Sequence, residues 1–213
     1  MIEELYQERV KMVDQQIRNR GITDKKILEA FKSVPRHEFV PVEYRELAYA
    51  DRPLPIGNDQ TISQPYIIAA MLTKLNLNPG SKVLEVGSGC GYVLAILSQI
   101  VGEVYGIERQ SSLVKSSRST MTRLGYDNVE IKYGDGKLGW AEKSPFDGIV
   151  VSAATNEPPN QLLEQLNKDG KMMIPLGNSF SQRLVLYHKK QTGQIDLNEF
   201  EPVRFVPLVD GKS

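Results

Sequence analysis

From Lys82 onward, short apolar runs alternate with segments of helical period, and this alternation constrains the fold more than any other feature of the chain. "KVLEV" (82–86), "EVYGI" (103–107), "VEIKY" (129–133), "FDGIVVS" (146–152) and "KMMIPL" (171–176) read as strands. "YVLAILSQIV", "SSLVKSSRSTMTRL" and "PNQLLEQL" lie between them and read as helices. Strands joined through helices run parallel, and a parallel sheet is covered on both faces. Past residue 182 the rhythm changes. "RLVLYHKK" and "EPVRFVPLV", separated by the turn-like "QTGQ", predict antiparallel pairing at the sheet edge. The expected fold is therefore α/β, a mostly parallel doubly wound sheet ending in antiparallel C-terminal strands.

Residues 1–80 carry a different texture. Leu5, Val13 and Ile17 recur at near-helical intervals, and Ile27, Phe31 and Val34 form a second stripe after the candidate caps Thr23 and Asp24, with Pro35 as its stop. "LPIGNDQTISQP" (54–65) reads as a loop. Pro65 suits a first helical turn, and Ile68, Met71, Leu72 and Leu75 give the following helix a core-facing stripe. At 213 residues the chain has the length of one well-buried domain. Its organisation is a helical cap and loop over 1–80 on a body over 81–213.

Composition removes several function classes. Lys+Arg and Asp+Glu both number 26, so no positive excess points to a nucleic-acid partner. The N-terminus lacks the apolar core of a signal peptide, and no stretch approaches the roughly 18 apolar residues of a membrane span. A cytoplasmic monomer with no membrane partner is the expectation. Cys90 is the only cysteine, and His37 and His188 are the only histidines. An internal disulfide is excluded, and neither histidine has a partner at metal-ligand spacing, so no metal is expected.

The chemistry begins at "VLEVGSGCGY" (83–92), where a strand gives way to a helix through Gly87, Gly89 and Gly91. Such turns at the carboxyl ends of parallel strands are the usual ligand site of open α/β sheets. A dinucleotide fold would show G-x-G-x-x-G. Here the spacing is G-x-G-x-G, with Glu85 two residues ahead, the pattern of S-adenosylmethionine-dependent methyltransferases. A methionyl ammonium and ribose hydroxyls suit acidic partners, and Glu85 meets that need. Glu108, 21 residues beyond Gly87 at the tip of the next strand, can accept two ribose hydroxyls. Asp135, in "GDG" after the third strand, can accept from the adenine amino group. Cys90 has no neighbouring cation in sequence to activate it.

Over essentially its whole length the sequence resembles the protein-L-isoaspartate (D-aspartate) O-methyltransferase family. The resemblance rests on "VPRHEFVP" (34–41), "AYADRPLPIGNDQTISQPYIIAAM" (48–71), "VLEVGSGCGY", "YGDGKLGW" (133–140), "PFDGIVVSAA" (145–154), "IPLG" (174–177) and "VRFVPLV" (203–209). It implies a Rossmann-like S-adenosylmethionine-dependent methyltransferase fold with an N-terminal helical cap. It also implies a repair activity, methylation of the free α-carboxylate of L-isoaspartyl residues in damaged proteins and peptides, with S-adenosylhomocysteine as product. By resemblance Ser63 is the active-site serine. Thr61, Ile62, Glu85, Gly87, Gly89, Glu108, Arg109, Asp135 and Gly136 bind the cofactor, and Ile62, Ser63 and Val206 bind substrate. "GYVLA" and "SAATNEPP" depart from the commoner family forms without removing any of these positions.

The resemblance also accounts for a loop without a base. A carboxylic acid with a reference pKa of roughly 4 is already ionised at neutral pH, so the nucleophile needs no proton removed. Ser63 then reads as a positioning donor, its alternative role being a cap for the helix that Pro65 begins. Two other functions remain open on sequence alone: a methyltransferase for a small molecule or another protein group, and a non-catalytic binding module. Asp210-Gly211, in the tail, is a dipeptide prone to isoaspartate formation and an expected site of self-methylation.

Overall fold

The computed structural model describes residues 2–209; Asp210-Gly211 lies outside the described residues. Helix α1 (Ile2–Met12) continues through a π turn and a 3-10 turn to Gly21, where a left-handed φ of 93° ends it. Of the two candidate caps, Asp24 opens α2 (Lys25–Ser33), its Oδ1 accepting from Lys26 N at 2.8 Å and Ile27 N at 3.4 Å. Val34, ahead of Pro35, is extended and closes that helix. Two 3-10 turns, Arg36–Phe39 and Val42–Leu47, lead onward.

The segment expected as a loop is a hairpin, β1 (Leu54–Gly57) paired with β2 (Gln60–Ile62). Asn58 and Asp59 form its tip with φ of 52° and 55°. Short amide and carboxylate side chains tolerate that left-handed region, and two such residues in succession match the twist of an antiparallel pair. Helix α3 (Pro65–Leu75) follows with its proline in the first turn.

The body runs β3 (Lys82–Val86), α4 (Tyr92–Ser98), β4 (Glu103–Glu108), α5 (Ser111–Leu124), β5 (Val129–Tyr133), β6 (Phe146–Val151), α6 (Asn160–Glu164), β7 (Leu166–Gly177), β8 (Gln182–Lys189) and β9 (Ile195–Val203). The sheet order is β5-β4-β3-β6-β7-β8-β9, parallel through β7 and antiparallel thereafter. This is the Rossmann-like α/β arrangement expected.

One strand differs from expectation. β9 begins directly after the turn at Ile195 and ends at Val203, so only the start of "EPVRFVPLV" lies in the sheet. Gln182 draws the chain out of the ladder: its Oε1 accepts from Phe205 N at 2.7 Å and its Nε2 donates to Phe205 O at 3.3 Å. Pro207, which has no N–H to donate, makes an isolated parallel bridge to Ala154 beyond β6. Residues 204–209 thereby cross the carboxyl edge of the sheet.

Side-chain alternation along the strands divides the core. Val83 and Val104 join the layer that contains Met12, Ile17 and Phe31 of the cap and Leu94 and Ile96 of α4. Leu84, Val86, Ile107 and Ile149 pack on the other face with Phe146 and Trp140. Cap and body thus share one continuous apolar layer. Among the described residues no helix is long and apolar enough to cross a membrane.

Candidate active site

β3 lies inside the sheet with β4 on one side and β6 on the other, so the chain winds in opposite directions from it. That reversal opens a crevice at the carboxyl ends of the strands. The turn after β3 fills the crevice floor with little more than backbone. A Cβ at Gly89 (φ 52°) would meet Ile56 Cδ1 of the hairpin at 3.1 Å, and one at Gly91 (φ 88°) would meet Met121 Cε of α5 at 2.6 Å. Both neighbours are tips of flexible side chains, and it is the left-handed φ that favours glycine at these two positions.

The resulting cavity is roofed by Ile56, Gln60, Thr61 and Ile62 of the hairpin. Glu85, Gly87, Gly89, Glu108 and Arg109 line one wall, and Ser152 and residues 206–209 line the other. Glu85 is 1% exposed. Its Oε1 accepts from Ser152 Oγ at 2.8 Å, while its Oε2 is buried without a hydrogen-bond partner. Burial pushes its pKa up to about 8, with the Ser152 hydrogen bond pulling down and the nearby Glu108 charge pushing up. An unpaired buried carboxylate oxygen is unfavourable unless a ligand completes it. A cationic amine is the complement this oxygen lacks.

Glu108 is held differently. Its Oε2 accepts from Gly89 N at 2.9 Å and its Oε1 from Gln110 N at 2.8 Å. A carboxylate has about four acceptor sites, so each fixed oxygen keeps capacity for a hydroxyl. The orphaned Glu85 oxygen, the oriented Glu108 carboxylate and the glycine cradle together fit an S-adenosylmethionine-type ligand. Cys90 also lines the cavity, but burial pushes its thiol up to about 11 and leaves it inert.

Thr61, Ile62, Ser63, Glu85, Gly87, Gly89, Glu108, Arg109, Gly136 and Val206 all line this one cavity. Asp135 is the exception among the predicted residues. Its Oδ1 accepts from Lys137 N at 2.9 Å and caps the 3-10 turn, and the wall at that point is Gly136. Gly136 sits so close under β3 that a Cβ would collide with Val86 Cγ1. The two histidines stay outside: His37 bonds Tyr49 Oη at 2.6 Å, and His188 lies 3.9 Å from Asp169 Oδ1 in a separate cleft. No group of residues suited to a metal ion occurs among those described.

A second groove abuts the first. Pro53, Gln64 and Ile67 line one side of it and residues 203–206 the other. Thr61, Ser63, Ser152 and Val206 line both spaces, which makes Ser63 part of the partition between them. The cap of α3 is Gln64 and no side chain caps that helix, so the Ser63 hydroxyl is not spent there. The Ser63 carbonyl is engaged by Arg36 Nη2 at 2.9 Å.

Sequence reasoning missed Arg36 and Ser152. Ser152 carried a signal, as a hydroxyl directly after an apolar strand adjoining β3. Arg36 lay within "VPRHEFVP", one of the stretches that carry the resemblance, but nothing local marked it for the site, because arginine is rarely buried. It has no exposed surface, its Nε donates to Ala48 O at 2.8 Å, and its guanidinium stands 4.9 Å from the centre of the Tyr92 ring.

Comparison with known proteins identifies the family. The family model for protein-L-isoaspartate(D-aspartate) O-methyltransferase (PCMT) matches residues 7–213. The protein-L-isoaspartate O-methyltransferase of Picosynechococcus sp. is 48% identical over 200 residues, covering 94% of this chain and 89% of its own. That of Gloeobacter violaceus is 45% identical over 202 residues, covering 94% of this chain and 98% of its own. Among solved structures, a protein-L-isoaspartate O-methyltransferase superposes with a TM-score of 0.84 at 29% identity, covering 99% of this chain and 67% of that one. A Plasmodium falciparum structure described as a beta-aspartate methyltransferase in complex with S-adenosyl-L-homocysteine gives 0.82 at 28% identity, covering 94% of this chain and 98% of that one.

Proposed function

The chain belongs to the protein-L-isoaspartate(D-aspartate) O-methyltransferase family, and from that premise we infer how its own residues carry the reaction. The activity is transfer of a methyl group from S-adenosylmethionine to the free α-carboxylate of L-isoaspartyl residues in damaged proteins and peptides. The ester then closes to a succinimide without enzyme and opens in part to aspartate, which makes the transfer a repair step.

The single observation that carries the assignment of roles is the partition at Ser63 between two adjoining spaces. We assign the glycine-floored cavity to the cofactor and the outer groove to the polypeptide. S-adenosylmethionine, when bound, supplies a methyl group on a positively charged sulfonium. Glu85 Oε2 takes the methionyl ammonium, and Glu108 takes the ribose hydroxyls. Thr61, Ile62, Arg109 and the glycine turn enclose the ligand, and Asp135 acts through the turn that presents Gly136.

Among the described residues, neither space is lined by histidine or lysine. None is needed, because the substrate carboxylate is ionised at neutral pH. The Ser63 hydroxyl donates to that carboxylate and orients it, and catalysis comes mainly from holding the reacting atoms together. Arg36, buried behind Ser63, adds a positive potential that favours an anionic group at this position. Residues 204–206 line the groove and Ile62 the adjoining cavity; we assign recognition of the polypeptide to its main chain, which suits substrates of many sequences. We propose a monomer at a cytoplasmic location, with polypeptide and not nucleic acid as the partner, a reading supported by the balance of 26 basic and 26 acidic residues.

Methyl transfer from labelled S-adenosylmethionine to an isoaspartyl peptide and to its aspartyl twin tests the reading. Transfer to the first alone is expected. Equal transfer to both, or to neither, would overturn it.

A further inference from the structure

β7 runs parallel to β6, so the turn between β7 and β8 emerges at the same sheet edge as the active site. That turn projects Phe180, which is 97% exposed and the most exposed large hydrophobic side chain among those described. The projection is built into the backbone. Asn178 Oδ1 accepts from Phe180 N at 2.9 Å and from Ser181 N at 3.0 Å. Gly177 has φ of 134°, and a Cβ there would collide with Ser181 O, so only glycine allows the reversal this tight.

A shallow groove beside the turn is lined by Phe180, Gln182, Val203 and Arg204. Val203 and Arg204 also line the groove that ends at Ser63, so the two are continuous. Ser152 follows β6, and β8 lies two strands along the sheet. Neighbouring strands are about 4.8 Å apart, which makes roughly 10 Å, or about three residues of extended chain.

We propose that the β7–β8 turn is a docking subsite for the polypeptide flanking the isoaspartyl residue, with Phe180 receiving an apolar side chain about three residues away. The proposal rests on the functional reading above and extends its substrate groove. Folded proteins keep such apolar side chains inside, whereas damaged, locally unfolded segments expose them. Phe180 therefore gives the enzyme a preference for the unfolded state that main-chain recognition alone does not provide.

The test uses isoaspartyl peptides bearing leucine or alanine two, three or four residues from the isoaspartyl residue, on either side. The parent enzyme is expected to show a KM about fivefold lower for leucine at one of these positions, as partial burial of one aliphatic side chain allows. Phe180→Ala should erase that preference, and Phe180→Leu should keep most of it. kcat and S-adenosylhomocysteine binding should stay unchanged in both. An equal preference in the parent and Phe180→Ala would overturn the subsite alone. So would a shift from dimer to monomer in Phe180→Ala on sedimentation, since the turn would then seat a second copy. Absence of transfer to every peptide by the parent would instead overturn the functional reading, and this inference with it.

Discussion

The guanidinium of Arg36, without exposed surface, donates from Nη2 to the carbonyl of Ser63 across 2.9 Å and from Nε to the carbonyl of Ala48 across 2.8 Å. The cap and the partition between the two spaces are thus tied by one side chain. Desolvation lowers the Arg36 pKa from its ordinary value, with Tyr92 and Cys90 acting the other way. The residue therefore serves position and potential rather than proton transfer.

Arg36→Ala leaves the buried Ala48 carbonyl and the part-buried Ser63 carbonyl unpaired, and the loss of a buried partner costs about 1–3 kcal/mol. Chemical denaturation should show a destabilisation of about 2–5 kcal/mol. Arg36→Lys keeps charge but not the planar fork, so it should recover only part of the stability and of kcat. Full recovery by lysine would mean that charge alone matters.

Ser63→Ala removes one hydrogen bond to a charged group, worth about 1.5–3 kcal/mol, or roughly a 10- to 100-fold loss in rate. Cofactor affinity measured by calorimetry should be unchanged, because the hydroxyl is assigned to the substrate carboxylate and not to the cofactor. A parallel loss of affinity would place the hydroxyl on the cofactor instead.

Glu85 is predicted to make cofactor binding depend on pH. Its carboxyl titrates near 8 in the free protein because it is buried, and only its ionised form complements an ammonium. S-adenosylhomocysteine affinity should rise by up to about tenfold per pH unit from pH 6 toward 8 and then level, with proton release on binding. Glu85→Gln should be flat over that window and weaker at its upper end.

The same group affects the ligand-free fold in the opposite sense. Its folded value lies above the ordinary 4.5, so the native state holds the proton more tightly than the unfolded chain. The contribution to stability is complete below about 4.5 and is lost as pH rises through 8. Thermal melts of the parent relative to Glu85→Gln should therefore fall as pH rises between those values. A constant difference would exclude the linkage.

The hairpin roof is latched by one exposed hydrogen bond, Asn58 Nδ2 to Ser112 Oγ at 3.0 Å. Ser112→Ala should speed S-adenosylhomocysteine release by about two- to tenfold, the range a hydrogen bond of 0.5–1.5 kcal/mol allows. Stopped-flow displacement measures it, and an unchanged off-rate would show that the latch does not gate the cavity.

The alternation after Lys82 and the G-x-G-x-G turn made the parallel sheet and the cofactor side of the site legible. The strand periodicity, the left-handed glycines and the acidic strand ends are local properties, encoded within a few residues of where they act. The hairpin at 54–62 was locally encoded as well, but its Asn58-Asp59 tip resembles any polar loop until the flanking strands are seen to pair.

What the sequence determined by itself was the chemistry on offer: a glycine turn, Glu85 and Glu108 on successive strand ends, and Ser63 ahead of a helix. Tertiary structure alone decided which of these groups face each other. It set Ser152 against Glu85, 67 positions apart, and gave Asp135 the Lys137 N–H while presenting Gly136 to the cavity. It buried Arg36 behind Ser63 and drew residues 204–209 across the sheet edge to close the site. Those relations come from packing between segments distant in the chain, where the local preferences of the residues involved favour no particular partner.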